Sequence, residues 1–169
     1  MSVSKKNIPF RNYVILGIIL VASIFLVCYF YWWFHIYDEN RLNTPIMDKY
    51  LQVINYNELD SYLSENGSAI IYVSVLGNEI VRDFEDDFRD VILDYSLKND
   101  ILYMDLSDEL SRNIGEGIYS LYGINSSNVP CIMVFEDGKL VDVYDIVSHD
   151  YRVKKVQKYL VSLGVIDND

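Results

Sequence analysis

The sequence has few cysteines and prolines: two cysteines, Cys28 and Cys131, and three prolines in 169 residues. Cys28 lies inside a long apolar run, so a disulfide with Cys131 would have to join a membrane interior to a folded domain. The short reach of a disulfide excludes that pairing. The thiols and the two histidines, His35 and His149, are not at metal-ligand spacing. We therefore predict no disulfide, no metal site and no cofactor.

Acidic residues are absent from the first 37 positions, because all 25 lie at Asp38 or beyond. Setting aside Lys5, Lys6 and Arg11 leaves 11 of the 14 basic residues against those 25 acids, a net charge of about −14 after the apolar run. Nucleic acid is excluded as a partner, since binding phosphates requires clustered Lys and Arg. Such a charge ordinarily serves solubility, and it also suits a cationic peptide.

Catalytic signatures are lacking as well. The chain has no glycine-rich phosphate loop, no nucleophile elbow, no histidine-bearing metal motif and no plausible Ser-His-Asp set. Hydrolase and transferase chemistry are therefore not expected, and a non-enzymatic role is favoured.

A long uncharged run, residues 13–34, is the clearest feature that is present. As a helix its 22 residues span about 33 Å, enough to cross a bilayer core. Aromatic residues crowd its C-terminal end where a cleavage site would need small ones, which favours an uncleaved signal anchor. Basic residues precede the run, so residues 1–12 are predicted to be cytoplasmic, and residues 35–47 form a linker to an outward-facing domain, 48–169. The short basic end and the tethered domain are typical of bacteria.

Hydrophobic periodicity divides the outer domain into strands and helices in the order β-α-β-α-β-α-β-β-α. Buried strands are predicted at 50–54, 69–75, 101–106, 131–136 and 139–145, the last two joined by an Asp137-Gly138 turn. Helices are predicted after the N-cap Asn55, over 79–98 with Ile80 and Phe84 facing inward, from Ser107 to about Leu121, and after the N-cap Ser148. Alternating strands and helices followed by a hairpin indicate a three-layer α/β domain.

This order, with Val129-Pro130 directly before the first hairpin strand, resembles the thioredoxin-like fold over about residues 48–165. The resemblance implies a cis proline at position 130 that faces the start of the second helix. There the family carries its Cys-x-x-Cys motif, which aligns with Asn78 to Val81 and has no cysteine in this chain. A trans proline in a loop is the alternative. Dithiol exchange needs an attacking thiolate and a resolving thiol, so thioredoxin activity is not expected.

The resemblance also implies a place for a partner, because in this family the loop before the proline pairs with an extended client backbone. We therefore predict a membrane-tethered, redox-inactive domain that binds a protein or peptide at the outer membrane face, in an envelope or secretion accessory role. The candidate contacts are Gly77, Asn78, Glu79, Val129 and Pro130.

Two alternatives remain open. Cys131 is either a small buried residue or a single nucleophile that forms mixed disulfides, which would make the protein a one-cysteine thiol oxidoreductase. In the other alternative the protein is a structural subunit whose membrane helix assembles with a partner through Gly17, Ala22 and Ser23. The acidic residues of the second helix, Glu79, Asp83, Glu85, Asp86 and Asp87, are interpreted as a solvated face.

Overall fold

The computed structural model describes residues 9–107 and 128–167 and divides the chain into two compact units between Arg41 and Leu42. Helix α1, Phe10–Leu42, includes every described residue of the first unit except Pro9, ends at the first residue of the second unit and has no buried side chain. It is long and apolar enough to cross a membrane. The helix extends eight residues past the predicted span, so it includes residues that the sequence assigned to the linker.

The second unit is built on a five-stranded sheet in the order β1-β3-β2-β4-β5. The strands are β1 Gln52–Val53, β2 Ala69–Ser74, β3 Leu102–Asp105, β4 Cys131–Glu136 and β5 Lys139–Asp145. Strands β1, β3 and β2 are parallel, and β2, β4 and β5 are antiparallel neighbours. All five predicted strands exist. The first is shorter than predicted because Tyr50 ends the 3-10 helix Met47–Lys49 and Leu51, directly after it, is buried in the core.

Helices cover both faces of the sheet, which confirms the three-layer α/β architecture. Helix α2, Leu59–Asn66, buries Leu59 and Leu63 against one face. Helices α3, Glu79–Asp94, and α4, Val153–Ser162, bury apolar side chains against the other. The predicted helix from Ser107 to Leu121 and the basic residues Lys5 and Lys6 lie outside the described residues, apart from Ser107 itself.

Turn chemistry follows the sequence at the β4–β5 hairpin. Asp137 and Gly138 both have positive φ, 48° and 71°, as a type I′ turn requires. Asn55 is the N-cap of the turn that leads into α2, where it forms a capping box with Glu58. These short-range signals depend on a few neighbouring residues and are therefore readable from the sequence.

Three predictions about helices are wrong. The helix predicted over 79–98 ends at Asp94. Ser148 does not cap the last helix: its hydroxyl donates to Asp145, and the positive φ values of Asp150 and Tyr151 separate it from α4, which begins at Val153. Ile80 does not face the core. It is 57% exposed, and Val81 is buried in its place because the buried stripe of α3 starts one residue later.

Candidate functional site

The strand register brings the two predicted contact segments to one end of the sheet. Val73 of β2 pairs with Cys131 of β4 in antiparallel register. The turn that follows β2 and the loop that precedes β4 therefore leave the sheet side by side. The Val129–Pro130 peptide bond is cis, the isomer that the resemblance implies. We call residues 76–79 and 128–130 together the site end of the domain.

Asn78 has a structural task at this end. It is the N-cap of α3, and its side-chain oxygen accepts hydrogen bonds from the backbone N–H groups of Ile80 and Val81 at 2.9 and 3.4 Å. These contacts satisfy two of the donors that a helix start leaves unpaired. Glu79 follows in the first turn of the helix and is exposed. At this position the helix presents a carboxylate and a capping amide.

Gly77 contacts the chain's own residues 42–44, the first of the second unit. Its N–H donates to the Leu42 carbonyl at 3.1 Å, and a Cβ at position 77 would lie 3.6 Å from Asn43 Oδ1. Gly77 has φ of +81°, a conformation that glycine adopts at no steric cost. Arg82, one turn into α3, donates from Nη1 to the Thr44 carbonyl at 2.7 Å. The predicted contact at Gly77 is therefore occupied within the chain.

The loop before Pro130 is held by Asp145 at the end of β5. Asp145 Oδ2 accepts hydrogen bonds from Asn128 Nδ2 and from the Ser148 hydroxyl, each at 2.6 Å. Asp145 Oδ1 accepts from the Ser148 N–H at 3.0 Å. Burial acts to raise the pKa of Asp145, but these hydrogen bonds outweigh it and the pKa is lowered. Sequence reasoning missed this residue, because Asp145 and Asn128 are 17 positions apart.

Val129 and Cys131, on either side of the proline, are both buried, at 7% and 0% exposure. Burial, followed by the charge of Asp145, raises the pKa of the Cys131 thiol to about 12. A nucleophilic cysteine needs the opposite environment, with access to solvent and a lowered pKa. The geometry of Cys131 therefore favours the small buried residue over the single nucleophile.

A buried carboxylate lies behind the site end, and the sequence reading misplaced it. Glu85 is 2% exposed, which corrects its assignment to the solvated face of α3. Its Oε1 accepts hydrogen bonds from the Ser74 hydroxyl at 2.6 Å and the Tyr72 hydroxyl at 3.0 Å. Burial raises the pKa of Glu85. It outweighs the two hydrogen bonds and the positive charge of Arg82, which act to lower that pKa. Glu85 lies four residues after buried Val81 and three before buried Phe88, so the helical repeat already contained this signal.

Metal ligands are not grouped in the described ranges: no cluster of three or more His, Cys, Asp or Glu in residues 9–107 and 128–167 is placed to hold an ion. Both cysteines are free thiols, with Cys28 exposed on α1.

No family model and no curated protein matches the chain. Solved structures that resemble it include the J-Trx1 fragment of ERdj5, at 14% identity and TM-score 0.49, covering 68% of this chain and 52% of that one. Mitochondrial thioredoxin 3 from Saccharomyces cerevisiae, in its oxidized form, aligns at 14% identity and TM-score 0.46, covering 66% of this chain and 94% of that one. A redox protein from Chlamydomonas reinhardtii aligns at 18% identity and TM-score 0.49, covering 70% of this chain and 36% of that one. The chain thus spans only about half of the ERdj5 fragment and about a third of the algal protein.

The description of the fold rests on the topology of the second unit itself. Parallel strands β1, β3 and β2 are followed by the antiparallel pair β4 and β5, with helices on both faces and Pro130 directly before β4. The second unit has a thioredoxin-like fold, and its chain has no Cys-x-x-Cys motif.

Proposed function

We propose that this protein is a membrane-tethered, redox-inactive thioredoxin-like domain that binds a protein or peptide at the site end. One observation carries the proposal: the turn after β2 and the loop before β4 lie side by side, and helix α3, which follows that turn, starts at the cap Asn78 instead of a thiol. Dithiol exchange has no attacking group there, and the resemblance implies that an extended client backbone pairs with the loop before Pro130.

Exposed groups around the site end support a binding role. Glu79 is exposed, and Ile80 beside it is an apolar side chain that is 57% exposed. Val129 is itself buried, so a partner would meet the backbone of this residue, as the resemblance implies. The proposed partner is a protein segment that pairs with main-chain groups near Pro130 and contacts the first turn of α3.

The proposed location is the outer face of a bacterial cell membrane. Helix α1 serves as an uncleaved anchor, residues before it remain in the cytoplasm because they are basic, and the domain with its net negative charge lies outside. The role would be an accessory one in the envelope or in secretion.

Site-specific photo-cross-linking in intact cells tests the proposal. A photoreactive amino acid replaces Glu79 or Asn128, both in the native chain and in the Cys28→Ser, Cys131→Ser background. Lys139, beside the turn at the other end of β4, is the matched control position. We expect adducts from positions 79 and 128, none from 139, and no dependence on the cysteines.

Two outcomes would contradict the proposal. Equal adducts at all three positions would indicate non-specific contact. Partner complexes that form only when Cys131 is present, and that a reductant dissolves, would favour the one-cysteine oxidoreductase instead.

A further inference from the structure

Residues 42–44 occupy one hydrogen-bond donor of the site end and another at Arg82, within the first turns of α3. The Gly77 N–H and Arg82 Nη1 donate to carbonyl oxygens two residues apart, those of Leu42 and Thr44. Both contacts are made to the main chain, so they do not depend on the side chains of the segment that accepts them. A second peptide segment with two suitably spaced carbonyls has the same chemistry.

The burial of Arg82 gives its hydrogen bond to Thr44 a structural role. Its side chain is 9% exposed, although it is charged and extends from a helix whose other charged residues are mostly in solvent. A guanidinium removed from water needs an acceptor, because a buried charged donor without one is costly. If residues 42–44 left, Arg82 would need another acceptor, which a bound peptide carbonyl or water would supply.

We infer that residues 42–44 form an intramolecular strap over the start of α3, and that a partner using Gly77 and Arg82 must displace it. The inference rests on the proposed function and refines it, because it assigns the recognised chemistry to a pair of main-chain carbonyls. The strap competes from within the same chain, which gives it a high effective concentration. A free partner therefore binds this part of the site only when the strap has opened.

Amide hydrogen exchange at Gly77 in the full chain, held in detergent micelles, measures strap opening. We expect a protected amide in the wild type and exchange at least ten-fold faster in Arg82→Met, which removes the donor to Thr44. Arg89→Met is the matched control: Arg89 lies on the same helix but pairs with Asp86 and Asp90 in solvent. It should leave exchange at Gly77 within two-fold of wild type.

A second variant tests whether faster exchange at Gly77 is caused only by unfolding of α3. Thr44→Gly, Pro45→Gly leaves α3 untouched and loosens the strap, because proline restricts both its own φ and the residue before it. Exchange at Gly77 should again be at least ten-fold faster, while the amides of Phe88 and Ile92 keep their protection. A synthetic peptide with the sequence of residues 39–47, added to this loosened variant at millimolar concentration, should slow exchange at Gly77 again. It should have no such effect on a variant that also carries Arg82→Met.

The inference is overturned if Gly77 exchanges as a free amide in the wild type, if neither variant changes it, or if the peptide has no effect on the loosened variant. These results are separate from the fate of the proposed function. Loosening the strap should raise cross-linking at position 79 several-fold. If cross-linking at position 79 is unchanged, the strap is excluded as a regulator of binding. If no cross-links form at positions 79 and 128 while the exchange results hold, the proposed function is wrong and the strap remains as a structural contact.

Discussion

Two carboxylates near the site end respond to protonation in opposite directions. Burial raises the pKa of Glu85, whereas hydrogen bonds from Ser148 and Asn128 lower that of Asp145. For Glu85 the folded state holds the proton more tightly than the unfolded chain, so stability falls as the pH rises from the unfolded pKa through the folded one. For Asp145 the contribution to stability is present above the unfolded pKa and is lost as the pH falls through the folded pKa.

The substitution Glu85→Gln isolates the first of these effects. The amide oxygen of Gln still accepts the hydrogen bonds of Ser74 and Tyr72, and the buried carboxylate charge is removed. Between pH 7 and the unfolded pKa of Glu, about 4.3, we expect wild-type stability to rise on acidification relative to that of Glu85→Gln. Urea unfolding of the full chain in micelles at several pH values measures the difference.

The control for this experiment is Asp83→Asn, an exposed carboxylate two residues earlier on the same helix. The free energy of unfolding of Asp83→Asn should change with pH in the same way as that of the wild type. Parallel pH profiles for wild type and Glu85→Gln would show that Glu85 has no displaced titration, contrary to its burial at 2% exposure.

At the scale of elements, local signals predicted the hairpin and the long helix. Strands β4 and β5 coincide with the predicted 131–136 and 139–145. The Asp-Gly turn directly after a buried apolar run marks where one strand ends and the next begins. The end of α3 was missed by four residues: the periodic pattern continues to Lys98, but the helix ends at Asp94 and Ser96 adopts positive φ. Apolar periodicity does not distinguish a continuing helix from the 3-10 turn at Leu97–Asn99, whose Leu97 is also buried.

The cap of α3 gives a prediction about stability. Asn78→Ala removes the acceptor for two N–H groups and should destabilise the domain by about 1 kcal/mol. Asn78→Asp keeps an acceptor and places a negative charge at the positive end of the helix, so it should be neutral or slightly stabilising. Chemical denaturation of both variants beside the wild type measures the two changes.

The same pair of variants separates the structural task of Asn78 from its predicted role as a partner contact. If Asn78 serves only as the cap, Asn78→Asp should leave cross-linking at Glu79 unchanged. If Asn78 also contacts the partner, Asn78→Asp should lower the cross-linking yield while stability is retained. A loss of stability in Asn78→Asp equal to that in Asn78→Ala would contradict the cap assignment.

At the scale of the whole molecule, the sequence predicted the architecture better than the site. The order of strands and helices along the chain and the three layers follow from alternating periodicity, which each segment carries by itself. The contacts of Asp145 with Asn128 and of Arg82 with Thr44 join residues 17 and 38 positions apart, and only the folded chain shows these pairings. Gly77 and Asn78 were predicted as partner contacts for their position in the fold, and the structure finds both engaged within the chain.

Membrane topology gives the last prediction. Lys139 is exposed on the domain, Cys131 is buried, and Cys28 lies within the apolar run, so Lys139→Cys in a Cys28→Ser background provides one reactive thiol. If the domain faces outward, a membrane-impermeant maleimide should label this variant in intact cells. The parent Cys28→Ser chain should stay unlabelled because its one remaining thiol, that of Cys131, is buried.

The reciprocal variant, Ser4→Cys in the same background, places the thiol in the basic end that is predicted to be cytoplasmic. It should be labelled only after the cells are lysed, because positive charge before a membrane helix is retained on the cytoplasmic side. The reverse pattern would invert the topology and would move the site end, with its proposed partner, into the cytoplasm. Labelling of Lys139→Cys in a soluble fraction would instead identify α1 as a cleaved signal, and the tether itself would be lost from the proposed function.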